Sequence, residues 1–209
     1  LPPCETDEFF SVLPLYHAFE FTCGFLMSIY GSATVTYSNT LKPTAMLETM
    51  RETRTTVLIG MPRLFKLLID TIERYVLQSA VAMDKPLDAP VIEKVKAALG
   101  GHIRVLVSGG AALPNDVYDR FQQLGMPIYQ GYGLTETAPV LSVNPYQRSK
   151  RGSVGPAVQG VHLQIINPDS DGIGEIVARS PSLMKGYYQN PGATQKVIRD
   201  AWLYTGDLG

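Results

Sequence analysis

Residues 127–137, P-I-Y-Q-G-Y-G-L-T-E-T, put two glycines around a tyrosine and follow them at once with a threonine and a glutamate. An apolar strand running into Gly131-Tyr132-Gly133 predicts a tight bend, because glycine turns the chain where a side chain would not fit. The bend carries an aromatic face, a hydroxyl and a carboxylate. Those groups suit stacking on a purine, donation to a phosphate oxygen and the holding of the magnesium ion that accompanies a nucleotide triphosphate. A strand-turn with incidental polar residues is the competing reading of these letters alone.

Upstream, Ile103–Val107 reads as a strand running into Ser108-Gly109-Gly110-Ala111-Ala112, then Leu113-Pro114 and a helix to about Leu124. Small residues between a strand and a helix let backbone approach a ligand closely. Neither the dinucleotide glycine fingerprint nor the phosphate loop ending in G-K-S/T is matched. Further back, Phe9–Leu15 predicts a strand leading to a loop with Tyr16 and His17, Phe19–Tyr30 a buried helix, and Ala33–Tyr37 a strand. Thr44 is placed to cap a helix to about Thr53, and Val57–Ile59 makes another short strand. The helix after Met61-Pro62 carries Leu64, Leu67, Leu68, Thr71 and Tyr75 at helical spacing, and a second runs from Val91 to Leu99 before Gly100-Gly101. Residues 83–90 read as a linker or surface loop.

Alternating strands and helices up to Tyr129 predict a largely parallel sheet flanked by helices. From Gly152 onward, 161–167, the turn 169–174 and 175–180 alternate like antiparallel strands of a barrel or sheet. The expected fold is therefore α/β, with 1–150 forming the sheet-and-helix part and 151–209 the antiparallel part.

The chain has 209 residues, 45% hydrophobic and 18% charged, and a formal net charge of −1. No global field draws in nucleic acid or an anionic membrane, so nucleic-acid binding is disfavoured. The run from Phe21 to Leu41 approaches spanning length but is broken by glycine, serine and threonine, and a buried helix followed by a strand explains it better. Cys4 and Cys23 show no metal spacing or disulfide framework, which suits a reducing cytoplasm.

Four ordered segments give the chain its resemblance to a known superfamily: L-P-L-Y-H (13–17), G-Y-G-L-T-E-T (131–137), G-E-I-V-A-R-S-P-S-L-M-K-G-Y-Y (174–188) and W-L-Y-T-G-D-L-G (202–209). Together they resemble the adenylate-forming enzymes, which include acyl-CoA synthetases, firefly luciferase and peptide-synthetase adenylation domains. Ala18, Phe19 and Glu20 after His17, with V-S-G-G-A-A-L-P (107–114) and R-G-S-V-G-P (151–156), are similar to the long-chain fatty acyl-CoA ligases. The resemblance implies that the chain is the second half of the large domain of such an enzyme. ATP would activate a fatty acid to an acyl-adenylate, and coenzyme A would then displace AMP.

On that resemblance Tyr132 stacks on adenine with Gly109, Gly110 and Ala111 as the facing wall. Thr135 contacts the α-phosphate, Glu136 holds Mg2+, and Asp207 accepts the ribose hydroxyls. Thr135 and Glu136 are the catalytic pair, and His17, Gly131, Gly133, Val154 and Gly155 border the acyl group. The resemblance also places the phosphate-gripping loop before Leu1 and a small domain with the adenylation lysine after Gly209, so the expectation is a chain that does not complete adenylation alone. ATP or AMP, fatty acid and coenzyme A are the implied partners, and peripheral membrane contact and a homodimer are compatible with them. An aryl- or amino-acid-adenylating enzyme and a catalytically silent nucleotide-binding domain stand as alternatives.

Overall fold

The computed structural model describes residues 2–75, 87–146 and 148–209. Its first half is built on a six-stranded sheet in the order β2-β1-β3-β4-β5-β6. The strands are β1 (Glu8–Ser11), β2 (Thr34–Tyr37), β3 (Val57–Gly60), β4 (Val105–Ser108), β5 (Ile128–Tyr132) and β6 (Ser142–Val143). All neighbouring pairs from β2 to β5 are parallel, as alternation of strand and helix predicts, and β6 closes the edge antiparallel to β5.

Strand periodicity divides the core between the two faces. Phe10, Leu58, Leu106 and Ile128 point to one side and meet Met46 and Met50 of α2 (Pro43–Glu52), Phe65, Leu68 and Ile69 of α3 (Pro62–Tyr75), Val95 of α4 (Ala89–Ala98), and Val117 and Phe121 of α5 (Asn115–Gln123). Each such large side chain removed from water contributes about 1.5–3 kcal/mol, so this layer dominates the cohesion of the first half. Phe65 and Phe121 meet edge-on, with ring centroids 5.8 Å apart. Arg120 is wholly buried beside them and donates through Nε to Glu73 Oε1 at 2.9 Å.

Phe9, Val57 and Ile59 point to the opposite face and pack on Phe19 and Cys23. There the chain runs helically over 18–30, its middle Glu20–Leu26 wound as a π-helix before α1 (Met27–Tyr30). The Met27 N–H reaches back to the Thr22 carbonyl, one residue further than in an α-helix. The expectation of a buried helix is corrected on one side: Phe21, Leu26, Ile29 and Tyr30 are exposed, Tyr30 by 79%. The sheet has room for only one face of this helix, and no other described element covers the second. Glu20 faces inward, 1% exposed, and accepts from Ser11 Oγ at 2.6 Å. A side chain at Gly24 would overlap that carboxylate.

Helix starts depart from expectation at one place. Thr44 does not cap α2; Lys42 holds the cap position without a side-chain bond and Pro43 opens the first turn, where its missing N–H costs nothing. Asp88 caps α4 by accepting from the Val91 N–H at 2.9 Å, and Gly100 and Gly101 end it at positive φ as expected. Leu67, expected inward on α3, lies at the rim with 39% exposure. Of the linker 83–90, residues 83–86 lie outside the described residues, as does the side chain of Tyr75.

The second sheet has the order β7-β8-β10-β9, comprising β7 (His162–Ile166), β8 (Glu175–Arg179), β9 (Ile198–Arg199) and β10 (Trp202–Leu208), with α6 (Pro191–Val197) before β9. Every pairing is antiparallel, and among the described residues it is an open sheet rather than a closed barrel. No described helix is long and apolar enough to cross a membrane.

Candidate functional site

The carboxyl ends of the parallel strands share one edge, and every candidate residue of the first half leaves a strand there. Ser108 of β4 pairs with Gln130 of β5, so the loop Gly109-Gly110-Ala111 emerges beside Gly131 and Tyr132. Gly109 is buried against the ring of Phe19 and donates to the Gly60 carbonyl at 3.2 Å, whereas Gly110 and Ala111 are exposed. His17 follows β1 at the same edge. It is exposed, and its Nδ1 accepts from the Phe19 N–H at 3.2 Å, tying down the first turn of the helix over 18–30.

After β5 the chain folds back on itself within a dozen residues. The Leu141 N–H donates to the Tyr132 carbonyl at 2.8 Å, and Gly131 and Tyr132 pair with Val143 and Ser142. A Cβ at Gly133 would overlap the Pro139 carbonyl, so only glycine fits this close approach. Thr135–Thr137 then form a single 3-10 turn, fixed by buried Thr137, whose Oγ1 accepts from the Leu134 N–H at 3.0 Å. Thr135 is exposed and Glu136 half-buried at its surface.

Behind this bend lies a buried polar brace. Gln130 Oε1 accepts from the Leu113 N–H at 3.2 Å, and the Gln130 N–H donates to Asn144 Oδ1 at 3.2 Å. Asn144 Nδ2 reaches the Ser153 carbonyl at 3.0 Å, and Ser142 Oγ the Val154 carbonyl at 3.1 Å. The segment with Val154 and Gly155 is thus bound to β6, and a Cβ at Gly155 would overlap the Val143 backbone. Smallness at Gly133 and Gly155 is therefore required by packing within the chain. At Gly131 it is not, since a Cβ there would sit 3.4 Å from the Ser142 carbonyl oxygen, an ordinary contact.

The second sheet supplies the remaining groups. In β10 the register with β8 shifts between Tyr204 and Leu208, and Gly206 has φ of 75°. This bulge re-aims the strand. Thr205 Oγ1 donates to the Ile176 carbonyl at 2.6 Å, the Asp207 N–H donates to Thr205 Oγ1 at 3.1 Å, and Asp207 Oδ2 accepts from the Tyr132 phenol at 2.7 Å. Burial, reinforced by the Asp207 carboxylate, pushes the Tyr132 phenol far above the ordinary tyrosine range, so it is a donor at every physiological pH. Glu136 Oε1 accepts from the Tyr187 phenol at 2.9 Å, and this bond to Glu136 raises the Tyr187 pKa.

Tyr132 and Asp207 therefore meet beside the turn of Thr135 and Glu136, with Gly110 and Ala111 on the neighbouring loop after β4 and His17 after β1, three strands from β5 along the same edge. Sequence reasoning gave Tyr187 no role, although it stands in the G-Y-Y that ends the third quoted segment; its partner lies 51 residues away, and nothing local marks that contact.

An aromatic ring, two carboxylates and a hydroxyl-bearing turn gathered at the carboxyl edge of a parallel sheet stand where α/β domains commonly bind their ligands. The chain belongs to the AMP-binding enzyme family, which it matches over residues 2–188. It is 28% identical over 225 residues to the long-chain-fatty-acid–CoA ligase FadD15 of Mycobacterium bovis, covering 94% of this chain and 36% of that protein. It is 29% identical over 202 residues to a feruloyl-CoA synthase of an Amycolatopsis species, covering 93% and 37%. The fold is similar to that of ATP-bound MatB from Rhodopseudomonas palustris, with a TM-score of 0.78, 27% identity, and coverage of 99% of this chain and 38% of that one. The chain thus spans little more than a third of the length of the relatives it matches.

Proposed function

We propose that this chain is the adenylate-binding part of an ATP-dependent acid–CoA ligase, with a long-chain fatty acid as the acid. The observation that carries the reading is the convergence of Tyr132 and Asp207 from two different sheets beside the turn that presents Thr135 and Glu136. Similarity to MatB, solved with ATP, and to two acid–CoA ligases supports the same chemistry.

In the first half-reaction a carboxylate oxygen bonds to the α-phosphorus of ATP as the bond to the β-phosphate oxygen breaks, releasing pyrophosphate. In the second, the coenzyme A sulfur bonds to the acyl carbon and AMP leaves. The difficulty is bringing two anions together, so positioning and electrostatics carry the rate. Tyr132 presents its ring to adenine with Gly109, Gly110 and Ala111 opposite. Asp207, an acceptor-only carboxylate, takes the ribose hydroxyls. Thr135 donates to the α-phosphate. His17 and Gly131 border the acyl group, with Gly133, Val154 and Gly155 as the packed wall behind it.

Glu136 fits a magnesium ion: it is a half-exposed carboxylate with no cationic partner among the described residues, and this ion is commonly held by one or two carboxylates together with substrate phosphates. When bound, it would neutralise the triphosphate and polarise the phosphorus for attack.

An aryl acid is the second reading, favoured by the similarity to feruloyl-CoA synthase. Incubating the full-length protein with ATP, Mg2+ and carboxylic acids of graded length, alongside hydroxycinnamic acids, separates the two. The expected result is pyrophosphate release and a fatty acyl-adenylate seen by mass spectrometry. Adenylation of aryl acids alone would move the assignment, and AMP binding without pyrophosphate release for any acid would make this a silent nucleotide-binding domain.

A further inference from the structure

We infer that Tyr187 is a positioning residue for Glu136: its phenol fixes one carboxylate oxygen so that the other is presented, already oriented, to the cation that accompanies the nucleotide. The inference rests on the metal role proposed above for Glu136 and adds the group that aims it.

Glu136 sits on a turn of three residues, and its side chain has three torsions to fix. A single described donor reaches it: Tyr187 Oη, 2.9 Å from Oε1. No described donor reaches Oε2. The backbone that carries the phenol is itself anchored. The Tyr187 N–H donates to Thr194 Oγ1 at 2.9 Å, and that hydroxyl donates to the Asn190 carbonyl at 3.0 Å. Asn190 in turn caps α6 through the Ala193 N–H at 3.0 Å. Just before it, Gly186 has φ of 140°, and a Cβ there would press to within 2.9 Å of Thr194. Tyr187 is thus delivered by a cap, a hydroxyl and a glycine rather than by a free loop.

The segment also grips the backbone of the turn. The Met184 N–H donates to the Glu136 carbonyl at 2.8 Å, and Ser182 Oγ donates to the Thr137 carbonyl at 2.7 Å. These two bonds already join the sheets, so the phenol is redundant as a tie. Its distinct effect falls on the Glu136 carboxylate. A lysine or arginine there would order the same oxygen and cancel its charge, weakening it as a cation ligand, whereas a neutral phenol orders it and leaves the charge. Ordering the side chain beforehand removes an entropy cost from cation binding, equivalent to roughly 5- to 30-fold in affinity.

The test uses the full-length protein with Tyr187→Phe, Glu136→Gln and the double variant. Manganese binding in the presence of ATP, followed by electron paramagnetic resonance, is expected to weaken roughly 5- to 30-fold in Tyr187→Phe, while AMP affinity stays within about twofold. Glu136→Gln is expected to weaken it further, and the double variant to match Glu136→Gln, since the phenol then has no carboxylate to aim. Wild-type manganese affinity in Tyr187→Phe, or purely additive losses in the double variant, would overturn the positioning role while leaving the ligase reading intact. Failure of the wild-type protein to bind manganese with ATP would overturn the metal role itself, and the inference with it.

Discussion

The Tyr132 phenol donates to Asp207 Oδ2 at 2.7 Å across 75 residues, joining the last strand of the parallel sheet to a bulged strand of the antiparallel one. The ring that would face adenine and the carboxylate that would take the ribose are thereby set relative to each other before a nucleotide arrives. Asp207→Ala is expected to weaken AMP about 10- to 100-fold, the equivalent of losing ionised hydrogen bonds of roughly 1.5–3 kcal/mol. Tyr132→Phe keeps the ring and is expected to cost less than about tenfold, and Tyr132→Ala more, as calorimetric titration would show.

Glu136 is predicted to matter for adenylation and little for AMP, which carries no triphosphate to be gripped through a metal. Glu136→Ala should lower pyrophosphate release about 100-fold or more, with AMP affinity within about threefold. Equal small effects on both quantities would remove Glu136 from the metal role.

Two neighbouring glycines should respond differently to a methyl group. Gly133→Ala forces a Cβ onto the Pro139 carbonyl and is expected to cost about 1–3 kcal/mol of stability, read from the denaturant midpoint. Gly131→Ala meets the Ser142 carbonyl oxygen at 3.4 Å. It should leave stability within about 1 kcal/mol and act instead on the preference for acid length.

Two carboxylates at opposite ends of the sheet should bound the pH range of stability. Burial raises the Asp7 pKa, but bonds from Arg104, Thr56 and the Cys4 N–H outweigh it and hold that carboxyl at about 2, against 3.8 unperturbed. Its contribution, about 2 kcal/mol, is present above the unfolded value and is lost as pH falls from about 4 towards 2. Glu20 has the opposite sign. Burial raises its pKa above 4.5, so its contribution is full below that value and is lost as pH rises through the raised one. Urea midpoints across pH should show Asp7→Asn converging on wild type near pH 2 and Glu20→Gln gaining on wild type as pH rises above 4.5; parallel curves would contradict both assignments.

The parallel sheet was legible because its strands are short, apolar and separated by helices with local signals: Pro62 at a helix start, Gly100-Gly101 at a helix end. Tyr132, Thr135, Glu136 and Asp207 stand out through the motifs that carry them, and of these the structure brings Tyr132 and Asp207 into contact. What escaped depends on distant partners. The outer face of the helix over 18–30 is apolar in sequence but exposed, because burial depends on what packs against it. The π-winding at Glu20 answers to Ser11 and to the space left by Gly24. Asp207 lies in a bulged strand rather than a simple turn, its direction set by Thr205 and Ile176. Tyr187 has meaning only once α6 has delivered it to Glu136.

Among the described residues, Glu136 and Asp207 are each bonded by a phenol, and neither meets a lysine or arginine. In the proposed nucleotide site the ligand would therefore meet two carboxylates that no described lysine or arginine pairs with. On that reading a bare nucleoside triphosphate would be repelled more strongly than one already carrying its divalent cation. On the proposed reading this part of the protein would act as a charge filter that favours the metal–nucleotide complex, and added salt, by screening the repulsion, is expected to help bare AMP bind rather than hinder it.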